Sequence, residues 1–170
     1  MIFVAAAVAI AAAAAVPQLT ATLDQVRVAS AARYIAGRMA FARSQAVARS
    51  ANVALLFTVA GDRATVAMYV DGNGNGVRTR DIESAADPPL GSAVHLETAF
   101  PRVLLFLNDP SDPSTTTALV SFTPLGTASS GTVYFRGLEG AQYAVRVLGA
   151  TGRTRVLRYQ PTTALWIEVY

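Results

Sequence analysis

Residues 28–59 read VASAARYIAGRMAFARSQAVARSANVALLFTV, and the period of the hydrophobic residues changes within this stretch. Up to Ser50 apolar side chains recur at alternating steps of four and three, which is typical of a helix that packs along one side. We call these residues the helical seam: Val28, Ala32, Ile35, Met39, Ala42 and Ala46. From Asn52 the period switches to two, which is typical of a half-buried strand. The stretch therefore predicts a long helix that ends near Ser50 and a β-rich unit that follows directly.

The helical pattern extends toward the N-terminus, because residues 18–50 contain no proline and only one glycine, Gly37. Before them, residues 1–16 (MIFVAAAVAIAAAAAV) carry no polar side chain. As a helix they span about 24 Å, short of the roughly 30 Å hydrocarbon core of a bilayer. A cleaved signal peptide, a buried core helix and a membrane helix with further apolar residues upstream are the three interpretations. Continuity with the following helix favours the membrane helix, kinked at Pro17.

Composition excludes several classes of functional site. The chain has 170 residues, no cysteine and a single histidine, His95. Disulfides, thiolate catalysis, cysteine-type zinc sites and multi-histidine metal sites are therefore excluded. The formal net charge is +3, and all 14 cationic side chains are arginines. This is compatible with a GC-rich genome and also with recognition of phosphate or carboxylate groups, which suit the arginine fork.

After residue 50 the sequence predicts short strands separated by turns that are rich in glycine, proline, aspartate and asparagine. The candidate strands are Val53–Val59, Ala64–Val70, Ala93–Glu97, Val103–Leu107, Ala118–Phe122, Thr132–Arg136, Tyr143–Leu148, Thr154–Tyr159 and Ala164–Val169. Short, regularly spaced strands favour an antiparallel β-sandwich-like domain over a parallel α/β fold. We therefore expect an α+β protein, with a transmembrane and amphipathic helix in residues 1–50 and a β domain in residues 51–170.

Three motifs occur in order along the β domain. Residues 71–78 read DGNGNGVR, residues 122–126 read FTPLG with SGT following at 130–132, and residues 151–155 read TGRTR. Together with the apolar helix, this ordered set resembles the GspH/FimT branch of the type IV pilin-like proteins. Members of that branch are minor pilins and pseudopilins of type IV pili and type II secretion. The resemblance implies a pilin-like fold and a role in filament assembly, without catalysis and without a cofactor.

The resemblance also implies partners and a location. Other pilin or pseudopilin subunits would pack against the first four residues of the helical seam, Val28, Ala32, Ile35 and Met39. The inner membrane would hold the N-terminal segment, with the β domain in the periplasm. The family's leader peptide, cleavage glycine and nearby acidic residue do not occur in this sequence. We therefore expect about six more apolar residues upstream, and processing by prepilin peptidase if that leader exists. A secreted β-sandwich domain behind a cleaved signal peptide is the alternative.

The arginines near the C-terminus are the candidate site for double-stranded DNA: Arg146, Arg153, Arg155 and Arg158. No acidic residue occurs between Glu139 and Glu168. If residues 149–152 form a four-residue hairpin loop, Arg146 lies opposite Arg155 and Leu148 lies opposite Arg153, while Arg158 has the other parity. Like charges placed directly opposite are destabilising, so an uncompensated pair indicates a function such as phosphate binding.

The string Gly152–Arg153–Thr154–Arg155 also resembles the Gly-Arg-x-Arg motif of FimT-type minor pilins, which bind DNA during natural transformation. This match implies that Gly152, Arg153 and Arg155 bind DNA. The predicted hairpin adds Arg146 and Arg158 to the candidate site. No aromatic residue interleaves with these arginines in the sequence, so stacking of single-stranded DNA is not expected. A GspH-like secretion pseudopilin that does not bind DNA is the alternative.

Two other patterns predict neither a metal site nor catalysis. Asp71, Asn73 and Asn75 match the first half of a calcium loop, but Ile82 stands at the twelfth position, where a bidentate carboxylate is needed. We expect a glycine-rich turn there. His95 lies in a candidate strand, and we expect a partly buried structural histidine rather than a member of a Ser–His–Asp triad.

Overall fold

The computed structural model describes the backbone of residues 2–107 and 117–169, and the side chains of residues 18–107 and 118–169. Helix α1 spans Ile2–Arg49. The remaining elements are β1 (Val53–Ala60), β2 (Arg63–Val70), α2 (Thr79–Glu83), β3 (Val94–His95), α3 (Leu96–Ala99), β4 (Val103–Phe106), β5 (Thr117–Phe122), β6 (Gly131–Gly137), β7 (Gln142–Leu148), β8 (Arg153–Gln160) and β9 (Leu165–Glu168). A long N-terminal helix followed by an antiparallel β domain is the predicted fold class.

The predicted membrane segment, residues 1–16, lies outside the residues whose side chains are described. Within the described part of the chain, no helix has the combination of length and apolar character that crossing a membrane requires.

The strands form two antiparallel sheets. The first has the order β3-β2-β1-β5, and the second has the order β4-β6-β7-β8-β9. Neighbouring strands in the second sheet are joined by short turns between β6 and β7, β7 and β8, and β8 and β9. Such local antiparallel connections agree with the short strands and polar turns of the sequence.

One candidate strand forms only in part. Ala93–Glu97 was predicted as a strand, but only Val94 and His95 pair with β2, opposite Val66 and Thr65. The chain then turns into α3, where the Phe100 N–H donates to the Leu96 carbonyl oxygen at 2.7 Å and Leu96 is buried. Burial of Leu96 beside β2 therefore outweighs the β pattern of this segment.

The helical seam is buried inside the chain's own fold. Its six side chains have 0% exposure and belong to one core cluster with the inner faces of both sheets. Helix α1 packs mainly on β6, β7 and β8 and also contacts β1. The prediction that Val28, Ala32, Ile35 and Met39 contact other subunits is therefore wrong, because β-sheet side chains already cover them. The same core crosses residue 50, the boundary expected between the helical and β units.

Candidate functional site

The β7–β8 hairpin has the predicted register. Residues 149–152 form the loop, Arg146 lies opposite Arg155, and Leu148 lies opposite Arg153. On the face that points into the core, Val145, Val147 and Val156 are buried. Strand alternation therefore directs Arg146, Arg153 and Arg155 to the other face of this sheet, which we call the outer face.

The charge repulsion that the sequence suggested is partly compensated. The Arg155 Nη1 donates to the Glu168 Oε2 at 2.9 Å, across from β8 to β9. Arg146 instead reaches the Thr132 hydroxyl at 3.4 Å, and its side chain is exposed. Among the described residues no carboxylate lies within ion-pair distance of Arg146 or Arg153. The outer face therefore keeps two unpaired cationic side chains, fewer than the sequence predicted.

Arg158 does not join this group. It shares the parity of Val156, so it points toward the helix side of the sheet. There it lines a cavity of about 400 Å³ with Ala21 and Gln25 of α1 and with Pro161 of the β8–β9 turn. The assignment of Arg158 to the same DNA-binding surface as Arg146 and Arg153 is therefore wrong.

Aromatic side chains lie on the outer face beside the arginines. Trp166 packs against Tyr159 and Tyr134, with ring centroids 5.3 and 5.6 Å apart. These residues come from three strands, β6, β8 and β9. Strand pairing therefore places three aromatic rings on the face that carries the arginines, although no aromatic residue lies between those arginines in the sequence. That single-stranded DNA does not stack here stays a prediction.

Gly152 has a structural reason to be glycine. Its φ is +59°, in the left-handed region, and a Cβ there would collide with the Gly126 carbonyl oxygen and press on the Arg43 side chain. The Arg43 Nε donates to that same carbonyl at 3.2 Å. The glycine of the Gly-Arg-x-Arg string therefore permits contact between two turns and α1.

The motif segments meet at this point of the fold. The Ala128 N–H donates to the Gly149 carbonyl at 2.8 Å, and the Gly149 N–H donates to the Ser130 hydroxyl at 3.1 Å. The connection between β5 and β6 thus lies against the β7–β8 loop, and Arg43 binds both to α1. We call this junction of Arg43, Gly126 and Gly152 the distal anchor.

A second polar contact fixes α1 near its other described end. Asp24 is 2% exposed, and its carboxylate accepts the N–H groups of Glu139 at 3.1 Å and Ala141 at 3.2 Å. It lies so close to Gly137 that a Cβ would collide with it. We call this contact the proximal anchor. The sequence analysis did not predict this contact. A signal was present, because Asp24 lies four residues before Val28 and so continues the helical seam, and a buried carboxylate needs hydrogen-bond donors.

The loop of residues 71–76 uses its carboxylate internally. The Asp71 side chain accepts the N–H groups of Gly74 at 2.7 Å and Gly76 at 2.8 Å, and the Asn52 amide at 2.9 Å. Burial alone would raise the pKa of the Asp71 carboxyl, but these hydrogen bonds outweigh it, and the pKa lies below its ordinary value of 3.8. Within the described ranges, no cluster of three or more His, Cys, Asp or Glu side chains could hold a metal.

His95 is more exposed than expected. Its side chain is 60% exposed, and its Nδ1 lies 3.3 Å from the Thr65 hydroxyl and 3.9 Å from the Glu97 carboxylate. The prediction of a partly buried histidine is wrong, because β3 is a two-residue strand at the sheet edge.

The sequence profile of the family described as "Type II transport protein GspH" matches residues 31–152, which run from the helical seam to the β7–β8 loop. The chain belongs to the GspH family. The matched range contains the distal anchor and ends before Arg153.

Among solved structures, this GspH-family chain is similar to the minor pseudopilin EpsH from the type 2 secretion system of Vibrio cholerae, with a TM-score of 0.54 and 13% sequence identity. The similarity covers 78% of this chain and 97% of that one, and it supports the pilin-like fold. No curated protein matches the sequence.

Proposed function

We propose that this GspH-family protein is a minor pseudopilin whose work is assembly into a type II secretion filament rather than catalysis. The proposed anchor is the apolar N-terminal segment in the inner membrane, with the β domain in the periplasm. Family membership and the pilin-like fold support the role. The observation that carries it is an apolar surface on α1 that the chain's own fold leaves uncovered.

This surface, which we call the outer stripe, consists of Leu19, Leu23, Val26 and Phe41, all of them exposed. At about 100° per residue, the four side chains fall within about 60° of one another, opposite the helical seam. Apolar side chains in a row on a helix favour packing against another helix. We propose that neighbouring subunits pack their helices on the outer stripe.

The test replaces apolar side chains of the stripe with charged ones in the full chain. Leu23→Glu combined with Phe41→Glu should abolish co-purification with the other pseudopilins of the secretion system and should leave the β domain folded. Leu125→Glu is the matched control, because Leu125 is 92% exposed in the β5–β6 turn and is not part of the outer stripe. Normal co-purification of the double variant would contradict the proposal.

A second candidate function, binding of DNA, is favoured by the exposed cationic side chains of Arg146 and Arg153 on the outer face. Contacts with phosphates would make the affinity fall steeply as salt rises. A low-salt titration of the full chain in neutral detergent tests this function with Arg146→Ala/Arg153→Ala. The control, Arg49→Ala/Arg63→Ala, removes the same charge from exposed positions elsewhere. Equal DNA binding by both double variants would exclude the hairpin as the site.

A further inference from the structure

One end of the five-stranded sheet lies beside the first described side chains of α1. The β6–β7 turn is held there by Asp24, and the β8–β9 turn lines a cavity with Ala21 and Gln25. Both turns therefore lie at the level of helix residues 21–25. This is the end of the domain from which α1 continues toward the apolar segment of residues 1–16.

Each of the two turns presents a leucine to solvent. Leu138 follows β6 and is 57% exposed, and Leu165 opens β9 and is 60% exposed. Neither contributes to the core cluster. Two large apolar side chains therefore lie at the same end of the domain, on separate turns, where both can meet an apolar layer that crosses this end.

Three arginines lie at the same end of the domain. Arg102 pairs with Glu139 at 3.1 Å, whereas Arg27 and Arg158 have no ion-pair partner among the described residues. The nearby Asp24 carboxylate is buried and occupied by backbone N–H groups. Arg158 lines the cavity of about 400 Å³ together with Gln25, Tyr143 and Gln160. Glu139 also lines the cavity, but its carboxylate is paired with Arg102. The cavity therefore offers the Arg158 guanidinium and polar side chains to an anionic group.

The height of this end above the apolar segment matches a lipid headgroup layer. Along a helix, Ala21 lies about 8 Å beyond Val16, at 1.5 Å per residue. The headgroup layer on each side of the hydrocarbon core is about 5 to 8 Å thick. An arginine side chain can extend several ångströms further toward the membrane. The cavity and the turn leucines therefore come within reach of headgroups when residues 1–16 occupy the bilayer.

We propose that this end, the proximal rim of Leu138, Leu165, Arg27, Arg102 and Arg158, docks on a bilayer surface that contains anionic phospholipid. The two leucines enter the interface, and Arg158 binds a headgroup phosphate in the cavity. This inference rests on the membrane anchoring in the proposed function and adds a second contact with the lipid. Docking fixes the domain's orientation on the membrane before the subunit enters a filament.

The native chain has no cysteine, so a single one can carry a nitroxide label at a chosen position. We would label Leu138→Cys and, at the opposite end of the sheet, Leu125→Cys as the matched control. The full chain is reconstituted in phosphatidylcholine vesicles with and without phosphatidylglycerol. Spin-label spectroscopy then compares the label's accessibility to oxygen, which partitions into lipid, with its accessibility to a water-soluble nickel chelate.

In anionic vesicles we expect the oxygen-to-nickel accessibility ratio to be about threefold or more higher at position 138 than at position 125. Removing phosphatidylglycerol, raising salt to about 1 M or introducing Arg158→Gln should lower the ratio at position 138. If Arg158→Gln unfolds the domain, the salt series alone decides. Added inorganic phosphate that lowers the ratio in the same way would show that Arg158 recognises the phosphate group itself.

Three results would overturn the inference. Equal ratios at positions 138 and 125, in vesicles that carry the protein, contradict rim docking and leave membrane anchoring intact. Failure of the chain to float with vesicles contradicts both. If the label at position 138 is shielded from the nickel chelate only at a high protein-to-lipid ratio, the rim contacts a second subunit instead of lipid.

Discussion

Both faces of α1 carry apolar side chains, and the two faces have different surroundings. The helical seam is fully buried against the two sheets, while the outer stripe of Leu19, Leu23, Val26 and Phe41 is exposed. Periodicity alone shows that a helix has an apolar face and does not show whether the covering surface belongs to the same chain or to another. Where both faces carry apolar residues, the seam with smaller side chains can approach a sheet more closely, as the three alanines of the helical seam do here.

The largest expected effect on stability comes from a substitution in the helical seam, and a matching substitution in the outer stripe should have little effect. Ile35→Ala leaves a cavity in the core and should lower the free energy of unfolding by about 2 to 5 kcal/mol. Leu23→Ala on the outer stripe should change it by about 0.5 kcal/mol or less, because Leu23 is exposed in the isolated chain. Chemical denaturation of the full chain in detergent, followed by near-UV circular dichroism, measures both. Comparable losses of unfolding free energy in the two variants would contradict the claim that only the helical seam is buried in the isolated chain.

Loss of the proximal anchor should have the second-largest effect on the free energy of unfolding. Asp24→Ala leaves the N–H groups of Glu139 and Ala141 without their acceptor, which should cost about 1 to 3 kcal/mol. Asp24→Asn keeps one side-chain oxygen as an acceptor and should cost less. Gln25→Ala, at the exposed neighbouring position, is the control in the same denaturation experiment. An Asp24→Ala variant as stable as the control would mean that water replaces the carboxylate.

The distal anchor can be separated from simple backbone strain. Gly152 and Gly61 have φ angles of +59° and +63°, but only Gly152 has atoms that a Cβ would meet. Gly61→Ala should cost about 1 kcal/mol from the left-handed conformation alone. Gly152→Ala should cost about 1 kcal/mol more, because the Gly126 carbonyl must also move. Equal melting temperatures for the two variants would show that the contact between a Cβ at residue 152 and the Gly126 carbonyl does not lower stability.

The smallest effect concerns a loop that contacts neither face of α1. The pKa of Asp71 is below 3.8 in the folded state, so its ionised form stabilises the fold above the unfolded pKa. That contribution is lost as the pH falls through the folded pKa. The melting temperature of the native chain should therefore drop more steeply below about pH 4 than that of Asp71→Asn. Parallel pH profiles for the two proteins would contradict the hydrogen-bonded role of this carboxylate.

Local features of the structure followed from the sequence, and long-range ones did not. The β7–β8 register was predictable because a four-residue loop fixes which side chains face each other, and the parity of Arg158 followed from the same alternation. The ion pair of Arg155 with Glu168 was not predictable, because it depends on the pairing of β9 with β8. The destination of the helical seam and the position of Trp166 beside Tyr134 likewise depend on strand order, which periodicity does not give.

Chemical labelling of a cysteine on the outer stripe tests the central claim most directly. The full chain with Leu23→Cys is exposed to a maleimide, first alone in detergent and then assembled with the other pseudopilins, and Leu125→Cys serves as the control. We expect rapid labelling of position 23 in the isolated chain and strong protection in the assembly, with position 125 labelled equally in both. Equal labelling of position 23 in the two states would contradict the claim that this face of α1 binds other subunits.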